Sequence, residues 1–202
     1  MKLILASKNS HKANEMQAIL GDEFDLVTQI QAGCGDIEII EDGNTFKDNA
    51  IKKAVTIMNA SKSPSIADDS GLCVDALSGS PGIYTARFAG ENATDDENIA
   101  KLLKELDGVE FEKRTARFVC VIALAIPGKE PVTYRGECEG YILNEKQGSN
   151  GFGYDPVFFV PEYNKSMAEL DGEIKNSISH RFNALEKLKA DLDQRRYICD
   201  EY

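Results

Sequence analysis

Two adjacent carboxylates in the middle of the chain are the first residues that could do chemistry. Asp68 and Asp69 stand in the sequence A-D-D-S-G-L (67–72), which we expect to interrupt a strand over 65–77. A hard cation such as Mg²⁺ takes one or two carboxylates together with substrate phosphates and waters. Adjacent strand residues point to opposite faces, so at most one of the pair faces a given site directly. The alternative is a turn built from Asp, Ser and Gly.

A short polar segment near the amino terminus could bind an anion. The sequence S-K-N-S-H-K (7–12) follows an apolar, strand-like run at 2–6 and opens a predicted helix. Backbone N–H groups at a helix N-terminus bind anions. Lys8, His11 and Lys12 add cationic side chains there. The alternative is an ordinary helix cap with solvated lysines.

A glycine-containing segment late in the chain could hold a nucleobase. It reads G-F-G-Y-D-P (151–156). Glycines on both sides of an aromatic residue allow close backbone approach, and an exposed Phe or Tyr face can stack on a base. The alternative is a glycine-containing bend that enters a strand at 156–160.

Cations stand at an unfavourable place at the start of the last predicted helix. Ser179 can cap that helix, which puts His180 and Arg181 in its first turn, a few residues after Lys175. The helix dipole is positive at that end and disfavours cations. A broken local rule of this kind points towards function. The alternative is a basic residue tolerated in solvent.

Composition narrows the class of protein. The 202 residues include 23 Lys and Arg against 34 Asp and Glu, a net charge of −11, which disfavours a general nucleic-acid surface but not a single polyanionic ligand. No apolar run approaches the length of a membrane span, and the apolar stretch at 1–6 is too short for a signal peptide. Five cysteines without a C-x-x-C pair argue against a zinc site or a disulfide framework. We expect a cytoplasmic globular protein with no membrane partner.

The hydrophobic patterning predicts an α/β fold with a mixed central sheet and flanking helices rather than a regular βαβ array. We expect one domain over 1–202, with no linker or repeat. The predicted strands are 2–6, 24–30, the interrupted 65–77, and the pair 115–126 and 132–143, which a hairpin at 127–130 joins. Four helices are predicted. The first ends at Gly21, the second begins after Thr45, the third begins at the capping box 94–97, and the fourth begins near Ser179.

Taken together, these segments closely resemble the inosine triphosphate pyrophosphatase family of house-cleaning enzymes. The matching stretches run in family order over almost the whole chain. They are A-S-K-N-S-H-K (6–12), E-D-G-N-T-F-K-D-N-A (41–50), A-D-D-S-G-L (67–72), P-G-I-Y-T-A-R-F-A-G (81–90), T-A-R-F (115–118), G-F-G-Y-D-P (151–156) and K-N-S-I-S-H-R (175–181). The resemblance implies a two-lobed single domain with an active-site cleft between the lobes, and a homodimer.

The resemblance also implies a Mg²⁺-dependent hydrolysis of non-standard purine nucleoside triphosphates (ITP, dITP and XTP) to the monophosphate and pyrophosphate. By position, Asp69 is similar to the family's catalytic proton acceptor and, with Glu41, to its metal ligands. The residues similar to its substrate contacts are Ser7, Lys8, Asn9, Ser10, His11, Lys12, Ser70, Phe152, Gly153, Tyr154, Asp155, Lys175, His180 and Arg181.

One position departs from the family pattern. Many members carry two consecutive acidic residues before the E-x-G-x-T-F region, one of them associated with metal. Here Ile40 replaces the first, which leaves Glu41, with Glu38 further upstream.

Two other functions remain open on the sequence. One is a nucleotide-binding sensor without turnover, against which the presence of Asp69 and Lys12 argues. The other is a pyrophosphatase with a different preference, such as pyrimidine triphosphates. For base choice, we expect His180 and Arg181 to donate to the 6-keto oxygen that ITP and XTP carry and ATP lacks.

Overall fold

Seven strands and five α-helices follow one another in residues 2–22 and 24–199, the part of the chain that the computed structural model describes. The side chains of Ser10, His11 and residues 195–199 lie outside this description. The strands are β1 (Lys2–Leu5), β2 (Asp25–Thr28), β3 (Ser65–Val74), β4 (Thr115–Ala125), β5 (Val132–Ile142), β6 (Phe158–Val160) and β7 (Lys165–Ser166). The helices are α1 (Ser10–Leu20), α2 (Phe46–Ser61), α3 (Asp95–Glu105), α4 (Gly172–Ile178) and α5 (His180–Cys199).

The strands form one mixed sheet in the order β2-β1-β3-β4-β5-β6-β7. Strand β1 runs parallel to both β2 and β3, with Leu3 opposite Leu26 and Ile4 opposite Ser65. At the other edge, β6 runs antiparallel to β5 and to β7. The predicted α/β fold with a mixed sheet and flanking helices is therefore confirmed.

The chain divides into two compact units. Unit 1 comprises the residues up to Asp69, Cys120–Gly136 and the residues from His180 onward. Its core is apolar and includes Leu3, Met16, Phe24, Ile66, Ile122, Leu185 and Leu188. Unit 2 comprises Ser70–Val119 and Glu137–Ser179. Its core includes Leu72, Ile99, Leu102, Phe118, Ile142, Phe158 and Met167. The cleft that the family resemblance implies stays a prediction.

Helices α2 and α3 begin directly after the capping residues that the sequence indicates. Thr45 precedes α2 and accepts a hydrogen bond from the backbone N–H of Asp48 at 3.1 Å. Thr94 and Glu97 form a reciprocal capping box at the start of α3. Among the described residues, no helix combines the length and the apolar character that a membrane span requires.

The sequence prediction of an interrupted strand at 65–77 is wrong, because β3 runs unbroken from Ser65 to Val74. Apolar residues on both sides of the acidic pair are fully buried, as Ile66 and Leu72 show, so the whole segment stays within the sheet. The strand predicted at 156–160 begins only at Phe158, since Asp155–Val157 form a 3-10 turn. Helix α4 was not predicted.

Candidate active site

The turn from β1 to α1 is built as a helix cap. The Ser7 hydroxyl accepts from the backbone N–H of Asn9 at 3.1 Å. The Asn9 side chain in turn accepts from the backbone N–H of Lys12 at 3.2 Å, which makes Asn9 the N-cap of α1. Lys8 and Asn9 are exposed. Ser10 and His11 open the helix, and their side chains lie outside the described part. Unit 1 thus presents a helix N-terminus with exposed polar groups beside it.

Asp68 is a buried carboxylate held by two cations in unit 1. Lys12 Nζ lies 2.9 Å from Asp68 Oδ1, and Arg181 Nη2 donates to Asp68 Oδ2 at 3.3 Å. The other terminal nitrogen of the guanidinium, Nη1, donates to Glu15 Oε2 at 2.8 Å. Burial alone would raise the pKa of Asp68, but the charges of Lys12, Arg181 and Lys53 outweigh it and hold that pKa well below its ordinary value. Asp68 therefore stays ionised and fixes Lys12.

Asp69 has a different set of partners, as expected for the next residue in a strand. Lys53 Nζ donates to Asp69 Oδ1 at 2.8 Å, and Asn49 Nδ2 donates to Asp69 Oδ2 at 3.2 Å. Burial raises the pKa of Asp69, and the charge of Lys53 offsets this only in part. Asp69 is thus a more basic carboxylate than Asp68, and the two neighbours are suited to different tasks.

Glu41 and Asp69 share one cation, the ammonium of Lys53. Its Nζ lies 3.0 Å from Glu41 Oε1 and 2.8 Å from Asp69 Oδ1. Burial lowers the pKa of Lys53, but Asp69, Asp68 and Glu41 raise it further, so the net shift is upward and the side chain stays charged. Two acidic side chains therefore converge on one positive charge in unit 1.

The same pair matches the donor preference of Mg²⁺. This ion takes oxygen ligands, and in nucleotide sites one or two carboxylates supplement the substrate phosphates. Within residues 2–22 and 24–199, no group of three or more His, Cys, Asp or Glu is arranged to hold a metal by itself. Glu41 and Asp69 thus fit a cation that also takes ligands from phosphates. Ile40, which precedes Glu41, is 68% exposed.

A cavity of about 400 Å³ in unit 1 is lined by Glu41 and Asp68, whereas Asp69 is not among its lining residues. Its lining residues are Ala6, Ser7, Lys8, Lys12, Gln29, Ile37, Glu38, Ile39, Ile40, Glu41, Lys53 and Asp68. Cationic side chains from the β1–α1 turn and the acidic group at Glu41 therefore face one space. The wall of the cavity therefore carries both positive and negative side chains.

In unit 2, the glycine-containing segment forms a tight loop around Asp155. Asp155 Oδ2 accepts from the backbone N–H of Phe152 at 3.0 Å and from Lys175 Nζ at 2.6 Å. Gly151 has φ +82°, and a Cβ there would lie 2.1 Å from Asp155 Oδ2, so a larger residue does not fit. Lys175 Nζ lies 4.8 Å from the centre of the Phe152 ring, which is 64% exposed. The loop thus holds an aromatic face towards solvent.

The other aromatic residue of this loop is structural. Tyr154 is 3% exposed, and its hydroxyl donates to the backbone oxygen of Thr85 at 2.9 Å. Burial and the nearby Asp95 raise the pKa of Tyr154, so its phenol stays protonated. The backbone N–H of Gly153 donates to Asp95 at 2.7 Å. Of the two aromatic residues, only Phe152 offers a face for stacking.

The remaining predicted residues fall in both units. Ser70 follows Asp69 in β3 and belongs to unit 2, whereas His180 begins α5 and belongs to unit 1; both are half-buried. The structure brings Ser7, Lys8, Lys12 and Glu41 together around the cavity, with Asp69 joined to Glu41 through Lys53. It also brings Lys175, on α4, against Phe152 and Asp155 of the loop.

Sequence reasoning missed three residues that contact the predicted ones: Lys53, Asn49 and Glu15. For two of them, the sequence contains a pattern that could have indicated a buried polar contact. Asn49 and Lys53 lie on the same buried stripe of α2 as Ala50 and Ala54. Polar residues on the apolar side of an amphipathic helix need buried partners, which carboxylates can provide.

The fold and the site together describe an α/β protein in which a helix N-terminus and cationic side chains lie beside two carboxylates that share one ammonium. The model of the Ham1 family matches residues 3–191. A dITP/XTP pyrophosphatase of Desulforamulus reducens is 53% identical over 201 residues, which span all of both chains. One of Shouchella clausii is 51% identical over 95% of this chain and 96% of its own. The chain therefore belongs to the Ham1 family.

A solved structure agrees with this assignment. The Ham1 protein of Staphylococcus aureus superposes with a TM-score of 0.89 at 43% identity. The match covers 96% of this chain and all of that one.

The buried network around Asp68 leads to a prediction about stability. Arg181→Met should lower the free energy of unfolding by about 3–5 kcal/mol, because it leaves the buried carboxylate of Asp68 and the half-buried carboxylate of Glu15 with fewer positive partners. Urea denaturation measures the change. The matched control is Arg117→Met, which breaks two ion pairs at a more exposed position and should cost about 0–1 kcal/mol. Equal losses in the two variants would contradict the prediction.

Proposed function

We propose that this protein hydrolyses dITP, XTP and ITP between the α and β phosphates, giving a nucleoside monophosphate and pyrophosphate. The observation that carries the proposal is the pairing of Glu41 and Asp69 on the ammonium of Lys53, with Glu41, Lys53 and Lys12 lining one cavity. The activity of its relatives, which are dITP/XTP pyrophosphatases, supports the choice of substrates.

The phosphates bind at the start of α1. The start of a helix favours an anion through its backbone N–H groups and the helix dipole. Lys8 and Lys12 supply positive charge next to these groups. Asp68, fixed by Arg181, keeps Lys12 directed towards the cavity. This arrangement holds the triphosphate chain in place while its reacting phosphorus is attacked.

Asp69 accepts the proton of the attacking water. The water oxygen forms a bond to phosphorus, the bond to the bridging oxygen breaks, and pyrophosphate leaves with the electron pair. A carboxylate whose pKa is raised by burial is a stronger base than an exposed one, which suits Asp69 to this task. Lys53 and Asn49 orient it through its two oxygens.

Glu41 and Asp69 are the residues that would hold Mg²⁺. When bound, this ion supplies positive charge to the phosphate oxygens and acidifies water. Glu38, which also lines the cavity, is the alternative to Glu41.

Phe152 stacks on the purine, and Asp155 and Lys175 fix the loop that carries it. Base choice through His180 and Arg181 stays a prediction. Two nitrogens of Arg181 already bind Glu15 and Asp68. The guanidinium carries five N–H donors, and its Nε has no hydrogen-bond partner among the described residues, so donors remain for a 6-keto oxygen.

The proposed activity is tested directly with a substrate panel. Protein with Mg²⁺ should release pyrophosphate from dITP, XTP and ITP with a kcat/KM well above those for ATP, GTP and the pyrimidine triphosphates. Nucleotide binding without pyrophosphate release would identify the sensor without turnover. A preference for pyrimidine triphosphates would favour the other pyrophosphatase.

The two neighbouring carboxylates should differ in their kinetic effects. Asp69→Asn should lower kcat by about 10²–10⁴-fold, because it removes the base with little change in volume. Asp68→Asn should act mainly on KM, because it loosens Lys12 and leaves the base in place. Steady-state kinetics on folded protein, verified by circular dichroism, separates them. An Asp69→Asn protein with more than half of the normal kcat would remove Asp69 from the mechanism.

We also propose that the protein is a cytoplasmic homodimer. A closed two-fold pair is the commonest assembly of soluble proteins, and the family resemblance implies it. Light scattering at micromolar concentration should give about twice the 22.2 kDa mass of one chain. A mass near that of one chain would contradict the proposal.

A further inference from the structure

Asn49 joins the segment that carries Glu41 to the strand that carries Asp69. The side chain lies on α2 and is 3% exposed. Its Oδ1 accepts from the backbone N–H of Gly43 at 2.8 Å, and its Nδ2 donates to Asp69 Oδ2 at 3.2 Å. One short side chain thus contacts both segments from which the proposed metal ligands project.

The contact with Gly43 is close. A Cβ at Gly43 would lie 2.6 Å from Asn49 Oδ1 and 2.8 Å from the Cβ of Asp48. The backbone two residues after Glu41 therefore packs directly on the first turn of α2, with no room for a side chain. The position of this backbone depends on the Asn49 amide.

The contact with Asp69 is complementary to that of Lys53. Asn49 and Lys53 are four residues apart on α2, so they lie on the same helix face. Lys53 binds Asp69 Oδ1 and Glu41, whereas Asn49 binds Asp69 Oδ2. The ammonium is on a long flexible stem and can move, whereas the amide is on a short side chain with a partner at each end. Asn49 can thus fix the carboxylate without adding charge.

We propose that Asn49 is a positioning residue, which sets the orientation of the Asp69 carboxylate and its spacing from Glu41, and thereby the affinity of this pair for a divalent cation. The inference rests on the proposed function for its choice of cation. Groups that orient metal ligands typically change metal affinity by about 10–100-fold when they are removed.

The chain contains a matched control in unit 2. Asn98 on α3 is 2% exposed, and its Oδ1 accepts from the backbone N–H of Ala89 at 2.7 Å. Its Nδ2 donates to the backbone oxygen of Ala86 at 3.1 Å. It is also a buried amide that joins a helix to a loop, but neither of these two partners is a carboxylate. Replacing Asn98 removes hydrogen bonds of the same kind and leaves the contacts of the proposed site in place.

The experiment compares Asn49→Leu with Asn98→Leu. Manganese binding is followed by electron paramagnetic resonance, first with Mn²⁺ alone and then with inorganic triphosphate present, and thermal unfolding is recorded for each protein. We expect both variants to lose thermal stability, and only Asn49→Leu to weaken Mn²⁺ binding, by about tenfold or more. Should either Leu variant fail to fold, Asn49→Ser and Asn98→Ser replace the pair.

Three results would overturn the inference: an Asn49 variant with the Mn²⁺ affinity of the wild type, an equal loss in the Asn98 variant, or no Mn²⁺ binding by the wild type in either titration. The Mg²⁺ concentration for half-maximal rate on dITP gives a second readout, which should rise only in the Asn49 variant. Because Mn²⁺ binding is measured without turnover, the inference and the proposed function can fail separately. A wild type that binds Mn²⁺ but hydrolyses none of the triphosphates would refute only the latter.

Discussion

The arrangement of the site depends on neutralising two adjacent carboxylates inside a buried strand. Ionised side chains are costly to bury unless they are paired and hydrogen-bonded. In β3, Asp68 is compensated from α1 and α5 through Lys12 and Arg181, and Asp69 from α2 through Lys53 and Asn49. Three helices of unit 1 are thereby tied to one strand. The need to compensate two charges fixes where the cationic side chains lie.

Much of the fold could be predicted because its signals are local. Apolar periodicity and the caps at Thr45 and Thr94 indicated α2 and α3, and the hairpin signal at 127–130 indicated β4 and β5. The prediction failed at β3 because A-D-D-S-G-L has the composition of a turn. It stays in the sheet because its charges are compensated by cations distant in sequence. Arg181 is 113 residues from Asp68, and no local pattern reports such a contact.

The candidate site could also be predicted only in part, because its local pattern is visible in the sequence and its distant contacts are not. Adjacent strand positions implied that Asp68 and Asp69 would have separate partners, and they do. Lys53 and Asn49 were missed although both lie on the buried stripe of α2. The alternation of side chains along a strand predicts the face on which each side chain lies. It does not predict which charged group contacts the side chain on that face. The partners of Arg181 change its interpretation most, because a residue expected to contact the base also supports Lys12 through Asp68.

The charged side chains that contact one another in unit 1 nearly balance. The connected charged groups are the acids Glu15, Glu41, Asp68 and Asp69 and the bases Lys12, Lys53 and Arg181. One more acid than base leaves this set slightly negative, so it does not attract a polyanion by its own charge. A bound divalent cation makes the sum positive, and the exposed Lys8 adds to it. Without the metal, the bases are occupied by the acids, which keeps the site from binding phosphate backbones indiscriminately. In the proposed function, pairing each of these cations with a carboxylate therefore makes phosphate binding depend on the divalent cation.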